Sequence, residues 1–398
     1  MNLDIPVLED LPPLSGKSVL LRADFNEPVV EDKDGTRRVA DDFRIRATLP
    51  TITFLMEKGA HITACSHLGR PKGKPDPRYG MQPVRDRLNE LVPGVELLEN
   101  LRFNPGEEAN DPAFVDFLVA GHDYYVNDAF GSSHRAHASV VGPPKRLPSA
   151  AGRQLAREVE VFTKLLGEPD RPFVAVVGGA KVADKLGVLH SLAQRADTLI
   201  VGGGMSYTFL LAQGRKVASS LVDLEHVKDC AALLEEHGAK ILLPTDIVAL
   251  SPGGQICVYG DHDHEPSGEL EVFEHDIPDG WEGLDMGPNT RAKDAAVIAS
   301  AKTVLWNGPF GLFEDPRFCV ATRAIAEAVA NCSGFTVVGG GDTVSAIDAF
   351  GVAEKIDHVS TGGGASLEFM EFGDLPGIAA LRDAPNNVAR LSTSPASQ

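Results

Sequence analysis

Short apolar runs recur along the chain at residues 18–21, 61–65, 95–98, 123–126, 173–177, 198–201, 240–243, 303–306 and 335–338. Each is too short for a helix of useful length and is followed by glycine or polar residues, which suits strands buried on both faces. Amphipathic stretches lie between them, at 47–58, 184–194 and 318–330. Strand–helix alternation at this spacing predicts parallel sheets covered by helices on both sides. Nine strands exceed one small sheet, so the pattern predicts an α/β chain of two doubly wound parallel-sheet domains. Pro143, Pro144 and Pro148 punctuate the chain before a helical pattern at 153–166, and Pro169 and Pro172 end it. The expected division is therefore a domain over 1–152, a connecting hinge helix over 153–170, a second domain over 171–376, and a terminal segment over 377–398. Residues 391–398, rich in Ser, Thr and Pro, read as a frayed tail, and 261–268 (DHDHEPSG) as a polar surface loop.

Length and charge narrow the picture. The 398 residues suffice for two or three domains. The net charge is −19, from 37 Lys and Arg against 56 Asp and Glu, which disfavours nucleic-acid binding. The acidity is uneven: residues 1–150 hold 18 basic and 22 acidic groups, and the remainder 19 and 34. Five widely spaced cysteines, with no CxxC pair, fit a reducing cytoplasm rather than a disulfide framework. The first residues lack a basic and then apolar leader, and no apolar run approaches a membrane span, so no membrane partner is expected.

In open α/β sheets, ligands bind beyond the carboxyl ends of the strands. In the first domain those ends are cationic. Arg22, Asp24 and Asn26 alternate onto one face after the first run, and Ser66-His67-Leu68-Gly69-Arg70 follows the second. Arg102 and Arg135 follow later runs, and Arg44 precedes the helix at 47–58. Arg44, His67, Arg70, Arg102 and Arg135 are expected to form a cationic bowl for a ligand bearing phosphate and carboxylate. The strand ends of the second domain are glycines, at 178–179, 202–204, 339–341 and 362–364. Glycine permits close backbone approach, and a helix that starts there offers free N–H groups to phosphate. Lys181 and Lys185 share a helical face if a helix begins at Ala180. Asp342 is a candidate Mg²⁺ ligand or helix cap, Thr343 is equally ambiguous, and Glu314 is a candidate ribose acceptor.

Several templates are missing. There is no GxxxxGK[ST], no GxGxxG after a strand and no GxSxG, which argues against P-loop, dinucleotide and hydrolase chemistry. His262 and His264 are a weak metal-binding pair. An NAD-dependent dehydrogenase and a non-catalytic binder of anionic metabolites are the rival readings.

The strings RADFNEP at Arg22, SHLGRP at Ser66, ENLRF at Glu99, YVNDAFGSSHRAH at Tyr125, GGAKVADK at Gly178, GGGM at Gly202, LDMGPNT at Leu284, WNGPFGLFE at Trp306, GGGDT at Gly339 and HVSTGGGASLE at His358, in that order, closely resemble phosphoglycerate kinases over nearly the whole chain. The resemblance implies a pair of Rossmann-like domains joined by a hinge helix. It also implies that the C-terminal segment returns to the N-terminal domain from Leu375 onward. It implies reversible transfer of a phosphoryl group between 1,3-bisphosphoglycerate with ADP and 3-phosphoglycerate with ATP, dependent on Mg²⁺, by a cytoplasmic monomer. The triose contacts it implies are Asp24, Asn26, Arg44, His67, Leu68, Gly69, Arg70, Arg102 and Arg135. The nucleotide contacts it implies are Lys185, Gly283, Asn307, Glu314, Gly340, Gly341, Asp342 and Thr343, with Asp342 also on the metal. Arg44 and Lys181 match the groups that flank the transferred phosphoryl. Glu27 stands where these kinases have an apolar residue, residues 31–38 form a charged turn, and the tail beyond Asp383 is long. None of these departures is expected to touch a ligand contact.

Overall fold

The computed structural model describes residues 4–257 and 265–386. His262, His264 and the tail at 391–398 lie outside the described residues. The chain forms two compact units: one runs up to Gly167 and resumes at Phe372, the other spans Glu168–Glu371.

The first unit is built on strands β1 (Ser18–Arg22), β4 (His61–Cys65), β5 (Glu96–Leu97), β6 (Tyr124–Asn127) and β7 (Ser149–Ala151), with β2 (Val29–Glu31) and β3 (Arg37–Val39) forming a separate antiparallel hairpin. The parallel sheet runs β5-β4-β1-β6-β7, so β1 is central, and Val19, Leu20 and Leu21 are wholly buried. Burial on both faces explains why β1 reads as a continuous apolar run rather than an alternation. Helix Phe43–Glu57 begins four residues before the amphipathic stretch and packs Ile45, Ile52 and Leu55 against the sheet. Helix Arg153–Leu166 buries Leu155, Val159, Phe162 and Leu165, a 4-3-3 spacing that keeps one face inward. Its start has no side-chain cap from Gly152. The buried carboxylate of Asp128, beyond β6, accepts from Gln154 N at 2.9 Å and Leu155 N at 3.2 Å instead. Helix Pro376–Arg382 belongs to the same unit: Ile378 and Leu381 are fully buried, and Gly377 N donates to Ser133 O at 2.8 Å. Further along, Asn386 exchanges two hydrogen bonds with the Ser149 backbone, each 3.0 Å.

The second unit holds a six-stranded parallel sheet of β8 (Phe173–Val177), β9 (Thr198–Val201), β10 (Ile241–Leu242), β14 (Thr303–Asn307), β15 (Phe335–Gly339) and β16 (His358–Val359), ordered β10-β9-β8-β14-β15-β16. A three-stranded antiparallel sheet of β11 (Ile247–Leu250), β12 (Leu270–Phe273) and β13 (Glu282–Met286) joins it, ordered β12-β11-β13. This sheet, with β2, β3, β7 and β16, is absent from the apolar-run pattern. Strand β12 (LEVF) is mostly exposed, and Glu271 interrupts its apolar residues.

One expectation fails. No helix begins at Ala180: the helix is Leu186–Arg195, with Lys185 as its N-cap. Residues 178–185 turn irregularly, so Lys181 and Lys185 do not share a helical face. Among the described residues no helix is long and apolar enough to cross a membrane, and all five cysteines are free.

Candidate active site

In the first unit, the polar residues gather where β1, β4 and β6 end. Arg22 closes β1 with only 1% of its surface exposed. Its Nε donates to Ser139 Oγ at 2.9 Å, one Nη donates to Ala23 O, and Nη2 lies 3.3 Å from His67 Nδ1. Arginine only donates, so this contact assigns the His67 ring proton to Nε2. Behind it stands Glu107, fully buried, which accepts from Ser139 N at 2.9 Å and Ser139 Oγ at 2.6 Å. A buried guanidinium is thus balanced by a buried carboxylate through one serine, which limits the cost of taking both from water.

The segment after β1 is tied to the loop after β4. Asn26 Oδ1 accepts from Gly69 N at 2.8 Å, and Gly69 O accepts from Arg102 Nη1 at 2.7 Å. Gly69 sits at φ +61°, and a Cβ there would lie 2.3 Å from the Tyr79 ring. Glycine is needed here for both reasons. Asn100 fixes Arg102 by accepting from its N–H at 3.0 Å and donating to Leu68 O and Tyr79 O. Arg102 Nε makes no hydrogen bond and lies 3.4 Å from Glu108 Oε1. Burial first, then Arg135, lowers the Arg102 guanidinium to about 10, still charged at neutral pH.

The expected bowl of five cations needs correction. His67 is buried, and burial with Arg22, Arg102 and Arg135 drives its pKa well below the usual histidine range. It is neutral at pH 7. His137 is lowered to about 4 by burial and the same arginines. The cluster that forms is Arg22, Arg102 and Arg135 around two neutral imidazoles, with Arg135 Nε donating to His134 Nε2 at 3.0 Å. Arg70 is exposed and joins it through no hydrogen bond among the described residues. Arg44 lies to one side, in the first turn of its helix. Its Nη1 is 3.3 Å from Asn26 O and 3.4 Å from Glu27 Oε2. Asp24 Oδ1 accepts from Asn26 N at 3.2 Å. The Glu27 contact overturns the expectation that this departure leaves the ligand residues alone.

Sequence reasoning missed Arg22 as a member of the cluster, Glu107 and Ser139 as its supports, and Glu27 as a partner of Arg44. The alternation of Arg22 with Asp24 and Asn26 was the available signal for the first. Glu107 and Ser139 carry none, because only folding brings them to β1.

In the second unit, the ends of β8, β14 and β15 meet. Lys185 Nζ turns back to donate to Gly178 O at 2.7 Å, Asn307 O at 3.2 Å and Asn307 Oδ1 at 2.7 Å. Burial lowers it to about 8, opposed by Asp342 and Asp184. Thr343 Oγ1, buried, accepts from Gly308 N at 2.6 Å and pins the GGGDT turn to the Asn307 loop. Not every glycine is there for a ligand. A Cβ on Gly178 would stand 2.2 Å from Pro309 O, and one on Gly308 2.2 Å from Gly178 O. Those two let neighbouring loops touch. Gly341 has nothing within 4 Å of its Cβ position. It opens helix Gly341–Ala349, whose first backward bond is Val344 N to Gly340 O at 2.9 Å. The N–H groups of residues 341–343 therefore lie ahead of the ladder, as an anion site requires. Asp342 is exposed in that first turn, and Lys181 is exposed in the loop after β8. Gly283 is buried in β13, its N–H donating to Ser220 Oγ at 2.9 Å. Glu314 is half-buried beyond the Asn307 loop. Neither shares a side-chain hydrogen bond with the Lys185 group among the described residues.

A family model described as phosphoglycerate kinase matches residues 8–97 and 93–372. A phosphoglycerate kinase of Salinispora arenicola is 48% identical over 412 residues, covering 96% of this chain and 100% of that protein. One of Herpetosiphon aurantiacus is 46% identical, covering 93% and 97%. Among solved structures, phosphoglycerate kinase from Coxiella burnetii superposes with a TM-score of 0.84 at 35% identity, covering 95% of this chain and 98% of that one. The enzyme from Pyrococcus horikoshii OT3 gives 0.79 at 29% identity, covering 97% and 100%. With a six-stranded parallel sheet, an arginine cluster on a second sheet and this full-length likeness, the chain belongs to the phosphoglycerate kinase family.

Proposed function

We propose that this kinase seats 3-phosphoglycerate on the arginine cluster of the first unit and the nucleotide on the glycine-lined edge of the six-stranded sheet. The observation that carries the reading is the Arg102–Gly69–Asn26 chain of hydrogen bonds, which holds a buried guanidinium at a strand end with its Nε lacking a hydrogen bond. A phosphate or carboxylate oxygen supplies the hydrogen bond that Glu108, at 3.4 Å, does not make. Asp24, Asn26, Arg44, His67, Arg70, Arg102 and Arg135 contact the triose, with Leu68 and Gly69 shaping the loop. His67 does so as a neutral hydrogen-bonding group. Lys185, Asn307, Gly340, Gly341, Asp342 and Thr343 contact the nucleotide, with Gly283 and Glu314 toward its nucleoside.

Asp342 is the residue that would hold Mg²⁺. It is exposed at an open helix start, and one carboxylate suits an ion that keeps several waters and takes its other ligands from phosphates. When bound, the ion neutralises charge on the nucleotide phosphates.

The acceptor in the direction of ATP use is a carboxylate, already ionised at pH 7, so no general base is needed. The work is positioning and neutralising anions. Arg44 and Lys181 flank the transferred group. Lys185, released from Asn307 and the strand carbonyls, moves its charge toward phosphate. Both substrates must meet for in-line transfer, so we infer a closure step about the connecting segment at 153–170. A cytoplasmic monomer completes the reading.

A coupled assay with 3-phosphoglycerate and MgATP tests the activity; binding without turnover rejects it. Lys185→Ala is expected to raise the KM for ATP more than that for the triose. The opposite pattern inverts the assignment of substrates to units.

A further inference from the structure

Helix Phe43–Glu57 starts without a side-chain cap from its own N-cap, Asp42. One of its free N–H groups is met from a distance. Glu27 Oε1 accepts from Ile45 N at 2.9 Å, across 18 residues of sequence. The Glu27 side chain is completely buried, while that of Arg44 is one-third exposed. The second oxygen, Oε2, lies 3.4 Å from Arg44 Nη1, which also reaches Asn26 O at 3.3 Å. One carboxylate therefore joins the helix start and the guanidinium, and Nη1 is engaged from behind. Among the described residues no hydrogen bond engages Nε or Nη2 of Arg44, which leaves them for a ligand.

We infer that Glu27 is a positioning residue for Arg44, anchored by the helix start, and that its charge sets how strongly Arg44 attracts an anionic substrate. The inference rests on the reading of Arg44 as a triose contact. A charged Glu27 cancels much of the field of Arg44, and a protonated one releases it.

The proton on Glu27 is within reach of neutral pH. Burial raises the carboxyl to about 7, against the opposing hydrogen bond of Ile45 N and the charge of Arg44. The charged groups that bear on it are Arg44 in the first turn of the helix and Asp41 in the turn before, which raises it further. The two histidines of the cluster titrate far lower, His137 at about 4 and His67 well below its usual range. An anion on Arg44 raises the Glu27 pKa again, so substrate binding takes up a proton. Affinity then falls as pH rises through about 7. A shift of half to one pKa unit corresponds to about 3–10-fold.

Calorimetric titration of the whole enzyme with 3-phosphoglycerate at pH 6, 7 and 8, in buffers of different ionisation enthalpy, tests this. Glu27→Gln removes the proton while keeping an acceptor for Ile45 N. Glu27→Asp keeps the charge but is too short to span both partners. The native enzyme should take up a proton near pH 7, and its Kd relative to that of Glu27→Gln should rise about 3–10-fold from pH 6 to pH 8. The ratio cancels titration of the ligand itself. Glu27→Asp should retain a pH-dependent Kd but lose turnover. Proton uptake by the native enzyme no greater than that by Glu27→Gln overturns the inference, as does a Kd ratio flat with pH. Arg44→Ala separates the two layers. Native affinity and turnover in that variant reject the role of Arg44. Impaired Arg44→Ala alongside a flat Glu27→Gln ratio rejects Glu27 alone.

Discussion

Arg44 and Arg102 show two ways of holding a guanidinium in place. Arg102 is buried and fixed by Gly69 O and Asn100, so its orientation is set before a ligand arrives. Arg44 is held by a single Nη and keeps freedom in the rest. In the role proposed for Arg44, following charge from one oxygen to another during transfer, that freedom is an advantage. Replacing Arg44 by Ala should lower kcat by a factor on the order of 10²–10³, the cost of one transition-state donor. Steady-state turnover at saturating substrates checks it, and near-native kcat removes Arg44 from the chemistry. At this scale the sequence showed where cations lie but not their charge state. His67 follows an apolar run as Arg102 and Arg135 do, and burial beside three arginines holds it neutral well below neutral pH. Glu27 was visible as an oddity. Its partner Arg44 is 17 residues away, and nothing in the spacing aims one side chain at the other.

Elements carry the next level of specification. The longer parallel strands were legible because burial on both faces leaves an unbroken apolar run, as in β1 and β8, whereas β7 and β16, three and two residues long, were not. Strand β12 was not, since it is exposed along most of its length and mixes Glu with Leu and Val, although its neighbour β11 is an apolar run of its own. Helix Leu186–Arg195 starts late because residues 178–185 fold Lys185 back onto the ends of β8 and β14. Local pattern cannot report a side chain that caps strands rather than a helix. The loop after β4 offers a direct test. Gly69→Ala places a methyl group 2.3 Å from the Tyr79 ring at a positive φ. It should destabilise the protein by about 1–3 kcal/mol and raise the KM for 3-phosphoglycerate by breaking the Asn26–Gly69–Arg102 chain. Denaturant unfolding with parallel kinetics measures both. An unchanged KM would show that the chain of hydrogen bonds does not position the triose site.

For the molecule as a whole, buried carboxylates set the pH response. Burial raises Asp285 and Asp294 to about 7 and Asp128 to about 6. The folded state therefore holds protons that the unfolded chain has lost above pH ~4. Each such group contributes stability below its unfolded pKa, and that contribution is lost as pH rises through the folded value. His67 and His137 act the opposite way, favouring the fold above the unfolded histidine value near 6.5 and losing that effect as pH falls. Asp294→Asn should consequently raise the melting temperature more at pH 8 than at pH 5. Calorimetry at both values checks it, and an equal shift at both rules out titration of Asp294 as the cause.

Helix Pro376–Arg382, docked through Gly377 on Ser133, has an implication for biosynthesis. The ribosome delivers residues 18–151, with all five strands of the first sheet, long before this helix exists. Ile378 and Leu381 reach their places only after the intervening Glu168–Glu371 has emerged. A nascent chain must therefore wait with a hydrophobic seat beside Val140 uncovered, and the portion translated first is the last to be sealed.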